Sequence, residues 1–177
     1  DEVAVVLGSR LQHELIDLAI RDLRIPQHRS CDAVRIHCSK IQRFVKHRLN
    51  VFPSLRLQLL LAVLERRCGI LSRTSDIYLN VAGGLQLKDP AADLGICASL
   101  ASAVTDIELP SDVCFIGEVG LAGEVRPAGR TLMRVKEAAR LGFKRAVISR
   151  RTPKESYPID VLKISSLREI VDLFLKR

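Results

Sequence analysis

Two segments carry the reading of this chain: Asp76-Ile-Tyr-Leu-Asn80-Val-Ala-Gly83-Gly84-Leu-Gln-Leu-Lys88-Asp89-Pro90-Ala91-Ala92-Asp93, and Phe115-Ile-Gly117-Glu118-Val-Gly120-Leu-Ala-Gly123-Glu124-Val-Arg126-Pro127. The first predicts a strand over Asp76–Val81, a bend at Gly83-Gly84, a short strand at Leu85–Leu87 and a helix beginning at Asp89-Pro90. Asp as N-cap with Pro at the first helical position is a helix start signal. That helix runs through Ile96, Cys97 and Leu100 to about Val104, and its small residues imply close packing on a sheet. The second segment predicts a β-hairpin, with a strand over Val113–Gly117, a turn at Gly120–Gly123 and a return strand at Glu124–Arg126.

Downstream, a basic helix is expected from about Thr131 to Leu141, closed by Gly142. A strand follows at Arg145–Ser149, then a basic loop Arg150-Arg151-Thr-Pro153-Lys154, a strand at Val161–Ile164 and a helix from Ser166 to Leu175. Upstream, Pro53-Ser54 opens a helix over Leu55–Cys68 that ends at Gly69, with Leu57, Leu60, Leu61 and Leu64 as its core stripe. Helices alternating with strands make one α/β domain with a mixed sheet and flanking helices.

The N-terminal third is less regular. Val3–Leu7 is a β-branched run. Leu11–Arg24 fits both a helix and a strand pairing with Val3–Leu7. From Arg29 to Arg48 the chain is basic, and an amphipathic helix over Ser39–Leu49 would present Arg43, Lys46 and Arg48.

The chain has 177 residues, enough for one domain with a real core. Its net charge of +8 points to an anionic partner, nucleic acid first. No apolar run reaches membrane-spanning length. Asp1-Glu2 opens neither a signal peptide nor a basic transit peptide, and reads as the interior of a longer chain. The five cysteines, Cys31, Cys38, Cys68, Cys97 and Cys114, are unevenly spaced, which argues against a disulfide framework. No Cys-x-x-Cys pair supports a metal site. Gly83-Gly84 lacks the Gly-Lys-Ser/Thr of a Walker A loop. Gly117–Gly123 lacks the following helix of a dinucleotide fingerprint.

Leu60-Leu-Ala-Val-Leu-Glu-Arg-Arg67, Asn80–Gly84, Asp89–Asp93, Gly117–Pro127 and Glu137-Ala-Ala-Arg-Leu-Gly-Phe-Lys144 occur in the order and spacing of a known family. The chain resembles the C-terminal domain of the bacterial-type RadA (Sms) DNA-repair proteins, built like the proteolytic domain of Lon. The resemblance implies a Lon proteolytic-domain-like fold, of the ribosomal protein S5 domain 2-like type, covering 1–177 as a single domain. Within it, 1–30 are divergent N-terminal strands, 31–52 a basic insertion and 53–177 the α/β core.

A Lon-like peptidase pairs a Ser nucleophile with a Lys base. Here Ala91 takes the Ser position, and a methyl group cannot attack a carbonyl. Counting from Pro127 and from Phe143-Lys144 puts Leu132 at the Lys position, where no proton can be exchanged. Ser99 and Ser102 read as plain helix residues. The expectation is therefore no catalytic and no metal site. The expected DNA contacts are Arg126, Arg130, Arg134, Lys136, Arg140, Lys144 and Arg145, with Arg43, Lys46 and Arg48 second.

The resemblance further implies single- and double-stranded DNA as partners, a homo-oligomer (a hexameric ring) and a RecA-type recombinase. This domain is expected to need no cofactor. ATP, magnesium and zinc belong to the ATPase and zinc-finger segments implied upstream. No membrane association is expected, and the compartment is the bacterial cytoplasm, on the nucleoid, or an organelle.

Overall fold

The computed structural model describes residues 2–7, 54–70, 76–81 and 88–176, with backbone alone for 2–7, 54 and 76–81. The expected structure over 11–24, 39–49, 83–84 and 85–87 lies outside these residues.

Strand β1 (Glu2–Leu7) pairs in parallel with β2 (Asp76–Val81), Glu2 opposite Asp76 and Leu7 opposite Val81. Between them in sequence lies helix α1 (Ser54–Val63). After a 3-10 turn (Pro90–Ala92), α2 runs over Asp93–Thr105. A second, parallel sheet has the order β3 (Val113–Ile116), β6 (Arg145–Ser149), β7 (Asp160–Ile164). The antiparallel hairpin β4 (Glu118–Val119) and β5 (Val125–Arg126) follows β3. Helix α3 (Thr131–Arg140) links the hairpin to β6, and α4 (Leu167–Phe174) follows β7. The class is α/β, with parallel and antiparallel pairing both present.

Alternation along the parallel strands splits the core in two. Val113, Phe115, Val147 and Ile164 face one side, against Leu60, Leu64, Leu94, Cys97, Leu100 and Ile170. Cys114, Ile116, Ala146 and Ile148 face the other, under Val135 and Ala138 of α3 and Phe143. Each large side chain buried here contributes about 1.5–3 kcal/mol. The Phe115 and Phe174 rings meet edge to face at 5.7 Å, fastening α4 to the sheet. Gly95 lets α2 approach closely, since a Cβ there would lie 3.6 Å from the Phe115 carbonyl oxygen.

The helix expected over Leu55–Cys68 divides. It is α-helical to Val63, then widens into a π-helical turn, Leu64–Cys68, closed by Gly69 at φ 68°. The wide turn lays the Arg67 stem over Gly123, whose missing Cβ would sit 3.1 Å from Arg67 Cγ. The last helix begins as expected, with Ser166 and Glu169 forming a capping box. Among the described residues, no helix is long and apolar enough to cross a membrane.

Candidate nucleic-acid interface

The start of α2 is where a nucleophile would sit. Asp89 caps the 3-10 turn, its Oδ1 accepting from Ala91 N at 2.8 Å. Gly117 then binds the turn on both sides. Its N–H donates to Ala91 O at 3.0 Å, and its carbonyl accepts from Leu94 N at 3.0 Å. The Ala91 methyl is buried. Nothing nucleophilic stands at this position.

Two ion pairs flank the turn. Arg56 of α1 donates from Nε and Nη2 to the two Asp93 carboxylate oxygens, at 2.8 and 2.7 Å, and from Nη1 to Lys88 O at 3.2 Å. The Asp93 side chain is 5% exposed, and burial pushes its carboxyl above the usual range against the pull of Arg56. On the other flank, Arg134 of α3 donates from Nη2 to Asp89 Oδ2 at 2.7 Å and from Nε to Gly129 O at 2.8 Å.

Arg134 is thus an α3 side chain that reaches the cap of the Ala91 turn. Leu132, two residues earlier, projects roughly 200° away round the helix. The sequence count puts Leu132 at the base position, and Arg134 is the nearby cation that pairs with the Asp89 cap. A guanidinium stays protonated in proteins and cannot serve as a general base. Ser99 and Ser102 do not supply an alternative. Ser99 donates to Gly95 O and Ser102 to Ile107 O, as buried helix residues do.

The remaining expected DNA contacts divide between the ends of α3, a helix about 15 Å long. At its N-terminal end, Arg126 lies on β5 and pairs with Glu124 at 2.6 Å and with Glu118 at 3.7 Å. Arg130 precedes the helix at φ 56° and is exposed. At its C-terminal end, Arg140 is 61% exposed and pairs with Glu137, while Arg145 pairs with Asp112 at 3.0 Å. Lys136 and Lys144 are exposed and make no ion pair with another described residue. Met133 lies exposed on the same face of α3 as Lys136 and Arg140. Arg134 differs from the rest, because its side chain is only 14% exposed and is engaged inward. Arg43, Lys46 and Arg48 lie outside the described residues.

The Arg56–Asp93 pair escaped the sequence reading, because 37 residues separate the partners and Arg56 stands in no motif. The available signal was an acid in the first turn of a buried helix, which needs a cation. Among the described residues, no group of His, Cys, Asp and Glu could hold a metal ion.

Residues 67–170 match the Lon protease (S16) C-terminal proteolytic domain. The chain is 56% identical over 93 residues to the DNA repair protein RadA of Bacillus subtilis, covering 52% of this chain and 20% of that protein. It is 38% identical over 128 residues to the DNA repair protein RadA of Aquifex aeolicus, covering 72% and 29% respectively. With the DNA repair protein RadA of Streptococcus pneumoniae it shares 38% identity over 122 residues, 66% of this chain and 28% of that protein. The chain therefore spans less than a third of the length of these relatives.

Proposed function

The chain belongs to the family of the Lon C-terminal proteolytic domain, and from that membership we propose that it is a non-proteolytic DNA-binding and oligomerisation domain of a RadA-like DNA repair protein. The observation that carries the reading is the substitution at the peptidase centre. Ala91 offers no nucleophile, and the cations that reach its turn, Arg56 and Arg134, are ion-paired arginines. What the scaffold offers instead is a basic outer face on and beyond α3.

Lys136, Arg140, Lys144 and Arg145 would neutralise phosphates without reading sequence, joined at the other end by Arg126 and Arg130. Within a whole protein of this kind the domain would support ATP-driven branch migration in recombination, beside a RecA-type recombinase and within a hexameric ring. ATP, magnesium and zinc would serve other segments. The compartment would be the bacterial cytoplasm, on the nucleoid, or an organelle.

A second reading, a ring-forming domain without DNA contact, is favoured by α1. Leu55 and Leu59 stand one turn apart on its outer face, 69% and 44% exposed. The two readings part in a mobility-shift experiment. The first expects the chain to retard both single- and double-stranded DNA and to take no label from a serine-reactive fluorophosphonate. Failure to shift DNA leaves only the ring-forming reading, and a specifically labelled serine overturns both.

A further inference from the structure

The loop between β6 and β7 is held far more tightly than an exposed connection requires. Arg150 donates from its backbone N–H to Ile164 O at 2.7 Å. Its guanidinium donates to Lys163 O at 3.2 Å and to Glu169 at 3.1 Å. Lys163 turns its ammonium back onto the loop, donating to Thr152 O at 2.8 Å and Pro153 O at 3.1 Å. Thr152 N closes a tight turn onto Ser149 O at 3.0 Å. The Ser149 hydroxyl accepts from Arg151 N at 3.2 Å and donates to Val125 O at 2.7 Å. That last bond ties the loop to β5, one residue from Arg126.

Two cations are thus used to fasten the loop, and two are left over. Arg151 and Lys154 are exposed and pair with no described acid, and Glu155 is the one acid between Arg150 and Ile159. A fixed loop loses little conformational freedom when its charges engage a ligand. Its attachment to β5 makes it continuous with the surface that bears Arg126.

We propose that the β6–β7 loop is a second phosphate-backbone contact, with Arg151 and Lys154 as the charged groups and Lys163 as the residue that positions them. The inference rests on the DNA-binding reading above and adds to it a site at the C-terminal end of β6, beside the β5 surface that bears Arg126. The recognised chemistry is the phosphate diester of nucleic acid. The loop's one aromatic, Tyr157, packs half-buried against the core and donates its hydroxyl to Pro153 O at 3.4 Å, so the loop's cations act on phosphates independently of sequence.

The test is titration of a fluorescein-labelled mixed-sequence duplex with the chain at several salt concentrations. Replacing both Arg151 and Lys154 by Ala is expected to reduce the steepness of the fall of log K with log salt by about 2. Lys163→Met is expected to weaken binding at every salt concentration while leaving the slope unchanged, since its ammonium faces carbonyl oxygens. An unchanged slope in the Arg151/Lys154 variant overturns the contact. A slope made shallower by Lys163→Met, or an unchanged affinity, overturns its positioning role. If Lys136→Ala/Lys144→Ala makes the slope shallower and the loop variant does not, only this inference falls. A wild-type chain that does not bind the duplex removes both it and the DNA-binding reading.

Discussion

Asp89 and Arg134, 45 residues apart in sequence, meet at 2.7 Å beside the buried methyl of Ala91. The pair joins the start of α2 to α3 at the place where a Lon-like peptidase would assemble its nucleophile and base. Asp89 has a double task, since its other oxygen caps the turn through Ala91 N.

Arg134 should therefore behave as a structural residue. Arg134→Ala is expected to destabilise the chain by about 1–3 kcal/mol, leaving a part-buried carboxylate without its partner. Arg140→Ala, at an exposed i,i+3 pair, should cost under about 0.5 kcal/mol. Urea denaturation of both variants, with Asp89→Ala and the Arg134/Asp89 double variant, checks this. Equal losses for Arg134→Ala and Arg140→Ala would contradict the buried-brace role.

Restoring the nucleophile alone should not restore chemistry. Ala91→Ser is expected to stay unlabelled by a fluorophosphonate, because an arginine facing the turn cannot accept its proton. Of the two lysine variants built on Ala91→Ser, Arg134→Lys should raise labelling above background and Leu132→Lys should not. Labelling that follows Leu132→Lys would show that the helix presents the other residue.

Much of this arrangement was legible in the sequence. Asp89-Pro90 announced its helix because a cap and a proline act within one turn, and the Ser166 start followed the same local logic. The hairpin turn was legible from Gly120 and Gly123 for the same reason, but its outgoing strand was not: Val113–Ile116 pairs in parallel with β6, and Glu118–Val119 forms the hairpin with β5. The Arg134–Asp89 ion pair was not legible, because 45 residues separate its partners and the contact is tertiary. The π-helical turn at Leu64–Cys68 was hidden too, since the fit of Arg67 over Gly123 is a tertiary contact.

The hairpin turn should loosen in acid. The Glu124 carboxylate fills the space where a Gly120 side chain would lie, and accepts from Ala122 N at 3.1 Å and from Arg126. Hydrogen bonding by backbone N–H groups and by Arg126 lowers its pKa below the usual glutamate value. A lowered carboxylate stabilises the fold above the unfolded-state pKa, and that stability is lost as pH falls through the folded value. Glu124→Gln is expected to melt below wild type at about pH 7, with the gap closing by about pH 3. A gap independent of pH would contradict this.

Thr152 offers a gain. Its Oγ1 is buried with no hydrogen-bond partner among the described residues. Thr152→Val removes a polar group that lacks compensation and should raise stability by about 1 kcal/mol in urea denaturation. A loss of similar size would mean that the hydroxyl is satisfied in solution.

The central claim, that a peptidase scaffold here serves phosphate binding, is tested most directly through Lys136 and Lys144. The measurement is the salt dependence of duplex binding by the wild-type chain and by Lys136→Ala/Lys144→Ala. Binding that weakens steeply with salt, with a slope shallower by about 2 in the variant, is the expected result. A wild-type chain that leaves duplex DNA unbound, or a variant with wild-type affinity and slope, would contradict it.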